Sequence, residues 1–139
     1  MVKLNKSTRF ALYAVVELSR NQESLYTAKH IAEKYHVSEH HVAKVLQQLV
    51  RAGLIRSIRG INGGFQIARN PKEITMFEVV QIFEPQTPET RCLLLDQAAT
   101  CDHLDACRIG DVFEEIREQT NYTLKSISIA TLISPKKIA

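Results

Sequence analysis

The chain has 139 residues, of which 45% are hydrophobic and 24% are charged, as in an ordinary soluble globular protein of about one domain. It contains no run of about 18 apolar residues and no apolar secretory leader, so we expect a cytoplasmic protein with reduced thiols and no membrane partner. The net charge of +3 divides into +7 over residues 1–70 and −4 over residues 71–139, which suggests that the first half meets a polyanion.

The first third of the chain predicts three helices. The first lies in STRFALYAVVELSR with Ser7 or Thr8 as its N-cap, and the second lies in TAKHIAEKYHV with Thr27 as its N-cap. The third lies in SEHHVAKVLQQLVRAG, where Ser38 is the expected N-cap and Gly53 is the glycine that follows the helix. Only a few residues separate the second helix from the third, and this spacing is typical of a helix-turn-helix motif.

A β-hairpin is predicted directly after this motif. Residues 55–59 and 65–69 favour strands, and the sequence GINGG between them supplies the residues that a hairpin turn needs. A helix-turn-helix followed by a hairpin forms a winged helix. The predicted fold class is therefore mainly α with a small β-hairpin, arranged as a winged helix-turn-helix domain with a long C-terminal dimerisation helix.

The second half of the chain predicts two further helices. Thr75 can cap a short helix in MFEVVQIFE. The apolar residues of IGDVFEEIREQTNYTLKSISIATLI have helical spacing and predict a helix roughly 35 Å long. The apolar strip of this long helix has no partner left in its own chain, so we expect it to pair with a second subunit in a homodimer. Folding back on the first helix is the alternative. The predicted interface residues are Ile109, Phe113, Ile116, Leu124 and Ile127.

These elements predict three parts of the chain. A winged helix-turn-helix DNA-binding domain spans residues 1–84, and a cysteine-containing sensor loop spans residues 85–108. A dimerisation helix with its tail spans residues 109–139.

Polar and basic side chains mark the surface on which a winged helix binds double-stranded DNA. The N-terminal turns of a recognition helix read base edges in the major groove, and here they hold Ser38, His40, His41 and Lys44. Wing arginines fit the narrow minor groove, and the lysines before the first helix suit phosphate contacts. Glu39 either accepts from a cytosine amine or repels wrong sequences. The full candidate set is Lys3, Asn5, Lys6, Thr27, Ser38, Glu39, His40, His41, Lys44, Arg51, Arg56, Arg59, Asn62, Gly63 and Gly64. The alternative is an ordinary solvated helix face with an incidental charge imbalance.

Four blocks of this sequence resemble successive blocks of the Rrf2 family of bacterial transcriptional regulators. They are LNKSTRFALYAVVEL, IAEKYHVSEHHVAKVLQQLVRAGLI, SIRGINGGFQIAR and ITMFEVVQIFE, and the most specific part is the wing pattern RGxxGG followed by an aromatic residue. The resemblance implies a homodimeric winged-helix regulator, here expected to be a repressor, that binds a palindromic operator. It also implies that the second helix of the helix-turn-helix enters the major groove, the wing enters the minor groove, and the long C-terminal helix forms the dimer interface.

All three cysteines fall within sixteen consecutive positions, as Cys92, Cys101 and Cys107. An odd number of thiols in the cytoplasm argues against a disulfide framework. Thiolates are the usual ligands of iron–sulfur clusters, and Cys107 lies just before a helix whose dipole favours a thiolate. Several members of the resembled family hold such a cluster with three cysteines in this segment. The resemblance therefore implies a 2Fe–2S or 4Fe–4S cluster on these three residues.

The fourth ligand of such a cluster is left open by the sequence. Relatives use a carboxylate in the first helix or a histidine three residues after the last cysteine, and those positions hold Arg9 and Gly110 here. His103 inside the segment is the leading candidate, and Asp102, Asp105 or a small external thiol or hydroxide are the alternatives. A Cys3His zinc site is less favoured because the cysteine gaps are too long for structural zinc. The sequence is also compatible with thiols that sense oxidants or an effector without a cluster, and with inert core cysteines.

Two further classes of protein are disfavoured. A small electron-transfer iron–sulfur protein needs neither a basic helix-turn-helix nor a wing. An enzyme with a Cys–His pair would also need an orienting group and an oxyanion site, and the sequence does not supply these together. We therefore expect a regulator without catalytic activity.

Overall fold

The computed structural model describes residues 3–84 and 108–134, and its elements confirm the predicted fold class. In chain order they are α1 (Lys6–Arg20), α2 (Ala28–Tyr35), α3 (Glu39–Arg51), β1 (Ile55–Ile58), β2 (Gly64–Ile67), α4 (Met76–Phe83), α5 (Arg108–Ser126) and α6 (Ile129–Ile133). Among the helices in these two ranges, none is long and apolar enough to cross a membrane.

Side-chain caps begin helices α1 to α4, and one predicted cap is wrong. Thr27 and Ser38 cap α2 and α3 as expected, each accepting a hydrogen bond from a backbone N–H in the first turn. The cap of α1 is Asn5, whose Oδ1 accepts from the Thr8 backbone N–H at 2.8 Å, and not Ser7 or Thr8. Both of those residues already have helical backbone, while Asn5 is extended and asparagine is an equally good cap.

Helix α1 lies at the centre of the core, in contact with α2, α3, α4 and α6. Its buried face includes Ala11 and Ala14, whose small side chains allow neighbouring helices to approach closely. The predicted stripe of α3 is buried against it and consists of Val42, Val45, Leu46 and Leu49. Each of these side chains contributes about 1.5–3 kcal/mol when fully removed from water. The helix-turn-helix is therefore held rigidly by the hydrophobic core.

A buried ionic cluster joins α1 to α2. The carboxylate of Glu17 accepts two hydrogen bonds from Lys34 Nζ, both at 2.7 Å, and one from the Tyr35 hydroxyl at 3.1 Å. Burial raises the pKa of Glu17, but the hydrogen bonds from Lys34 and Tyr35 outweigh burial, so its pKa is lowered overall. Burial and the bond to Glu17 raise the pKa of Tyr35 to about 12. Glu17 is thus ionised whenever the protein is folded at neutral pH.

The predicted hairpin forms, with strands slightly shorter than expected. Strand β1 pairs antiparallel with β2, and Ile55 lies opposite Ile67 on the core side. The backbone of Tyr26 forms an isolated antiparallel bridge with Phe65, because its N–H and C=O bond Phe65 at 2.9 and 2.8 Å. This extra pairing fixes the wing to the segment that precedes α2.

The C-terminal region differs from its prediction, because the expected single long helix is two helices. Helix α5 ends at Ser126, and backbone bonds then tie the chain to the start of α4: Met76 N–H donates to Ile127 C=O at 2.9 Å, and Ile129 N–H donates to Ile74 C=O at 2.8 Å. Ile129 is fully buried in the core, and α6 packs on α1. The end of the apolar strip therefore finds its partner in its own chain, and Ile127 lies in the connection and not on the helix.

We expect Glu17→Ala to lower the free energy of unfolding by about 2 kcal/mol, because it leaves Lys34 and Tyr35 without their acceptor. Since the pKa of Glu17 is lowered by folding, its contribution is present above its ordinary value of 4.5 and is lost as the pH falls through the folded-state value. Urea unfolding followed by circular dichroism at pH 7 and at pH 3 measures both effects.

The matched control is Glu33→Ala on α2, since Glu33 and its partner Lys29 are both 69% exposed with their charges 4.0 Å apart. Loss of that pair should change stability by less than about 0.5 kcal/mol. Equal losses from both substitutions would contradict the structural role of Glu17.

Candidate nucleic-acid interface

The first turns of α3 present an exposed polar face. Most of the predicted DNA-binding residues on this helix are exposed, namely Ser38, Glu39, His40, Lys44 and Arg51. The apolar stripe on the opposite side is buried in the core, so this face points to solvent as a recognition helix requires. The polar groups can donate to and accept from base edges, and the two cations can meet phosphates.

His41 differs from the rest of the predicted base-reading residues. Its Nε2 lies 2.9 Å from Ser7 Oγ, and its ring packs edge-on against Phe10 with centroids 4.8 Å apart. The side chain is half-buried. It therefore joins the start of α3 to the start of α1, and we remove His41 from the set that could read bases.

The start of α1 and the residues just before it hold two exposed cations and one residue with a structural task. Lys3 and Lys6 are exposed, as phosphate contacts require. The side chain of Asn5 caps α1 and also donates from Nδ2 to the C=O of Phe83 at 2.7 Å. Asn5 therefore positions the two lysines and is not free to bind phosphate through its side chain.

Glu84, which sequence reasoning missed, ties the end of α4 to the start of α1. Its Oε1 accepts from the backbone N–H of Asn5 at 2.9 Å and from the hydroxyl of Thr8, a fully buried residue. Glu84 is the last described residue before the cysteine-containing segment. No local sequence signal could have found this contact, because the partners lie 76 and 79 positions apart.

The wing turn depends on two glycines. A Cβ at Gly63 would lie 2.2 Å from the C=O of Ile58, and one at Gly64 would lie 2.9 Å from the C=O of Tyr26. Both obstacles are backbone atoms, which cannot move aside cheaply. Gly63 and Gly64 therefore shape the wing, while Arg59 and Asn62 are exposed near its tip.

An open cleft with a volume of about 340 Å³ lies between the wing and the start of α2. Thr27 and Ala28 line one side, and residues 57–60 and 63–65 line the other. Thr27 Oγ1 accepts from the backbone N–H of His30, so its side chain belongs to the helix cap. The start of a helix presents backbone N–H groups and a positive dipole end, which suit an anionic backbone.

Two arginines near the hairpin have protein partners. Arg56 is exposed, and its Nε donates to Gln66 Oε1 at 3.0 Å, across the strand pair. Arg69 pairs with Glu78 at 2.8 Å. Burial raises the pKa of Glu78, but the bond from Arg69 outweighs it, and the pKa is lowered overall. Arg69 therefore holds α4 against the hairpin.

The first half of α5 is uncovered by the described residues. Gly110 is the buried residue of this helix within the described ranges, while Ile109 and Val112 are 59% and 57% exposed. Phe113, Ile116 and Leu124 are half-buried. The cation of Lys125 lies 4.6 Å from the ring centroid of Phe77, where α5 packs on α4.

The predicted metal ligands lie outside the described residues. This holds for Cys92, Cys101, Cys107 and His103. Within residues 3–84 and 108–134, no group of three potential ligands is placed to bind a metal ion. Of the two positions at which relatives supply a fourth ligand, Arg9 is exposed and Gly110 has no donor side chain.

A recognition helix with an exposed polar face, followed by a glycine-turned hairpin, defines a winged-helix DNA-binding protein. The sequence matches the Rrf2 family, described as an iron-dependent transcriptional regulator, over residues 4–135. The chain belongs to the Rrf2 family of transcriptional regulators.

Similar proteins agree with this assignment. A protein of Rhodopseudomonas palustris named as the HTH-type transcriptional regulator BadM is 42% identical over 132 residues, which cover 95% of this chain and 81% of that protein. The HTH-type transcriptional regulator NsrR of Shouchella clausii is 32% identical, with 87% of this chain and 82% of that protein covered. The family and these relatives are regulators, so the chain is a DNA-binding regulator and not an enzyme.

Solved structures show the same fold. CymR, the global cysteine regulator of B. subtilis, superposes with a TM-score of 0.77 at 25% identity, covering 96% of this chain and 97% of that one. IscR of T. potens superposes with a TM-score of 0.78 at 22% identity, covering 99% and 93%. The predicted winged-helix fold is thereby confirmed.

We expect Gly63→Ala to weaken DNA binding at least about tenfold, because the added methyl group displaces the wing turn. Fluorescence anisotropy with a duplex selected by the protein from a random pool measures the affinity. Gly53→Ala is the control, since no atom lies within 4 Å of its added Cβ although its φ is +79°. That change should cost stability but leave affinity near the parent value, and parental affinity in Gly63→Ala would refute the turn assignment.

Proposed function

We propose that two copies of this chain form a cytoplasmic repressor that binds a palindromic operator, with α3 in the major groove and the wing in the minor groove. The observation that carries the proposal is the contiguity of the exposed elements. The start of α3 contacts the start of α1 through His41 and Ser7, and the wing contacts the segment before α2 through Phe65 and Tyr26. The lysines, recognition helix and wing therefore follow one surface.

The base-reading set is Ser38, Glu39, His40 and Lys44. Lys3, Lys6, Arg51 and the N-terminal end of α2 serve the phosphates, and Arg59 and Asn62 serve the minor groove. Glu39 is the single acid among these exposed groups of α3, and it disfavours sites that place a phosphate or an acceptor opposite it. Specificity then comes from the helix, and affinity comes from the cations.

The second subunit covers the exposed face of α5. A 19-residue helix with so little burial is poorly stabilised by its own chain, because helices in water depend on packing of an apolar face. Ile109, Val112, Phe113 and Ile116 provide such a face for a symmetric pairing. Two recognition helices held in this way can meet half-sites about one DNA turn apart, ~34 Å.

DNA binding should fall steeply with salt. A dimer that neutralises about six to ten phosphates loses about 10³-fold or more in affinity between 50 and 200 mM salt. Lys6→Ala should reduce the slope of log affinity against log salt by about one per chain, and Arg59→Ala should lower the preference for the selected duplex over random DNA. Anisotropy titrations at several salt concentrations measure both quantities.

Lys72→Ala is the matched control, because Lys72 is an exposed lysine that has no assigned DNA contact and follows Pro71, whose C=O accepts from Ala130 N–H of α6. Its slope and preference should equal those of the parent. A flat salt response of the parent, or equal effects of Lys6→Ala and Lys72→Ala, would count against the docking arrangement.

We further propose that an iron–sulfur cluster bound by Cys92, Cys101 and Cys107 sets the DNA affinity, with His103 as the candidate fourth ligand. Three thiols and a nearby imidazole form a donor set that suits such a cluster, and the family description as iron-dependent supports it. When bound, a cluster would supply one-electron redox chemistry and ligand exchange at iron. Arg9 and Gly110 cannot supply the ligand that some relatives place there.

The position of the cysteine segment suggests how it acts on DNA binding. It begins directly after Glu84 and ends directly before α5. Glu84 is bonded to Asn5 and Thr8, and Ser7 between them contacts His41 of α3. A change in the segment thus acts on the start of the recognition helix through Glu84 and on the dimer contact through α5.

Protein purified without air should contain iron and sulfide and absorb visible light, and Cys101→Ala should lose all three properties because it removes a thiolate ligand. Iron, sulfide and zinc analysis with an absorption spectrum is the measurement. Thr100→Ala alters the neighbouring position and should keep its colour. Retained iron and colour in Cys101→Ala would contradict the ligand assignment. One zinc ion per chain in the parent protein, without iron or sulfide, would show that the cysteines form a zinc site and not a cluster.

Sensing by thiols without a cluster is the second candidate. It is favoured by the likeness to CymR of B. subtilis and to CymR of Staphylococcus aureus, the second of which has been solved in an oxidised form. A colourless parent protein without metal, whose DNA affinity changes on oxidation and returns on reduction, would favour this function.

A further inference from the structure

Ile61 at the wing tip has no role in the fold. It is fully exposed, and it lies in the turn between β1 and β2 beside Gly60 and Asn62. Single exposed apolar side chains are common on protein surfaces, but turns favour Gly, Asn, Asp, Pro and Ser for reasons of backbone geometry. A β-branched residue gains nothing at such a position. An isoleucine at a position that favours other residue types, and where its side chain is not buried in the fold, points to contact with a ligand.

The tip is held in place by the rest of the wing. The N–H of Gly63 donates to the C=O of Gly60 at 3.0 Å, which closes the turn around Ile61. The start of β2, next to the turn, is fixed by the two backbone bonds between Phe65 and Tyr26. Ile61 is thus presented on a rigid support, so that little conformational entropy is lost when it is buried by a partner.

Charge and size identify the partner as DNA. Arg59 lies two residues before Ile61, and the neighbouring Gly60, Asn62 and Gly63 are small enough for a groove about 6 Å wide. Ile58, which is partly exposed, faces Gly64 across the hairpin and extends the apolar surface toward the tip. The walls of the minor groove are deoxyribose carbons, which offer an apolar surface between the phosphates. Proteins that bind this groove use isoleucine and similar residues as apolar wedges.

We propose that Ile61 is a positioning residue that enters the minor groove and packs against deoxyribose and base edges, while Arg59 meets the negative potential of the same groove. This inference rests on the proposed DNA-binding function. Ile61 adds affinity through removal of apolar surface from water, and it makes no phosphate contact. Its contribution to affinity is therefore independent of salt, unlike that of Lys3 and Lys6.

The test compares the parent protein with Ile61→Ala and Ile61→Leu on a duplex selected by the parent from a random pool. We expect Ile61→Ala to bind about tenfold more weakly with an unchanged salt slope, and Ile61→Leu to bind within about twofold of the parent. Thermal unfolding should be the same for all three proteins, because the side chain is fully exposed. A loss of affinity therefore cannot come from misfolding.

Hydroxyl-radical footprinting locates the contact, since the radical attacks deoxyribose from the minor groove. The parent and Ile61→Leu should protect a few sugars at the wing position, and Ile61→Ala should lose that protection while keeping the protection due to α3. A footprint of Ile61→Ala identical to that of the parent overturns the inference, whatever the affinity. Failure of the parent to select or bind any duplex overturns the proposed function together with the inference.

Discussion

The arrangement of this protein depends on one carboxylate at the start of its central helix. The Glu84 side chain accepts from the backbone N–H of Asn5 and from the Thr8 hydroxyl, at the end of α1 where the helix dipole favours a negative charge. Asn5 in turn bonds the C=O of Phe83, so three hydrogen bonds hold the end of α4 against α1. Thr8 is fully buried, and its hydroxyl bonds Asn5 Oδ1 at 3.0 Å as well as Glu84, so this buried hydroxyl belongs to the same hydrogen-bond network. The start of α1 therefore cannot move without the end of α4.

The core extends this constraint to the rest of the described residues. Helix α1 packs on both α3 and α6, and its alanines and Ile129 belong to one buried core, so α3 and the C-terminal end of the described residues share one central support. The Glu17 cluster with Lys34 and Tyr35 fixes α2 to the same helix at its other end. The winged helix is thus a rigid unit. Under the proposed function, control of DNA binding has to change the position of one winged-helix domain relative to the other, and not the conformation of either domain. That is the kind of rigid-body change that dimeric regulators use.

Much of the fold could be predicted because its signals are local. Caps at Thr27 and Ser38, and the glycine-rich turn, act over three or four residues, and the α3 stripe repeats within one helix. The failures involve contacts between distant parts of the chain. The break near Ile127 comes from backbone pairing with residues 74–76, which helical periodicity cannot show. His41 has the spacing of a base-reading residue, but its ring contacts Ser7 and Phe10. These contacts could not be predicted, because both partners are more than 30 positions away in the sequence.

Under the proposed function, the residues on either side of the cysteine segment connect it to DNA binding and to the dimer contact. The segment is flanked by Glu84 and Arg108. Glu84 is bonded to the start of α1, and Arg108 is the first residue of α5, the least buried long helix in the described ranges. Under the proposed function, one end acts on the recognition helix through α1 and Ser7, and the other acts on the contact between subunits. Two half-sites on DNA fix the separation of two recognition helices to within a small fraction of a helical turn. Because the dimer is symmetric, a shift in one subunit occurs in both, and the separation of the two recognition helices changes twice over. That separation then no longer matches the half-site spacing, so under the proposed function the segment controls binding without touching DNA.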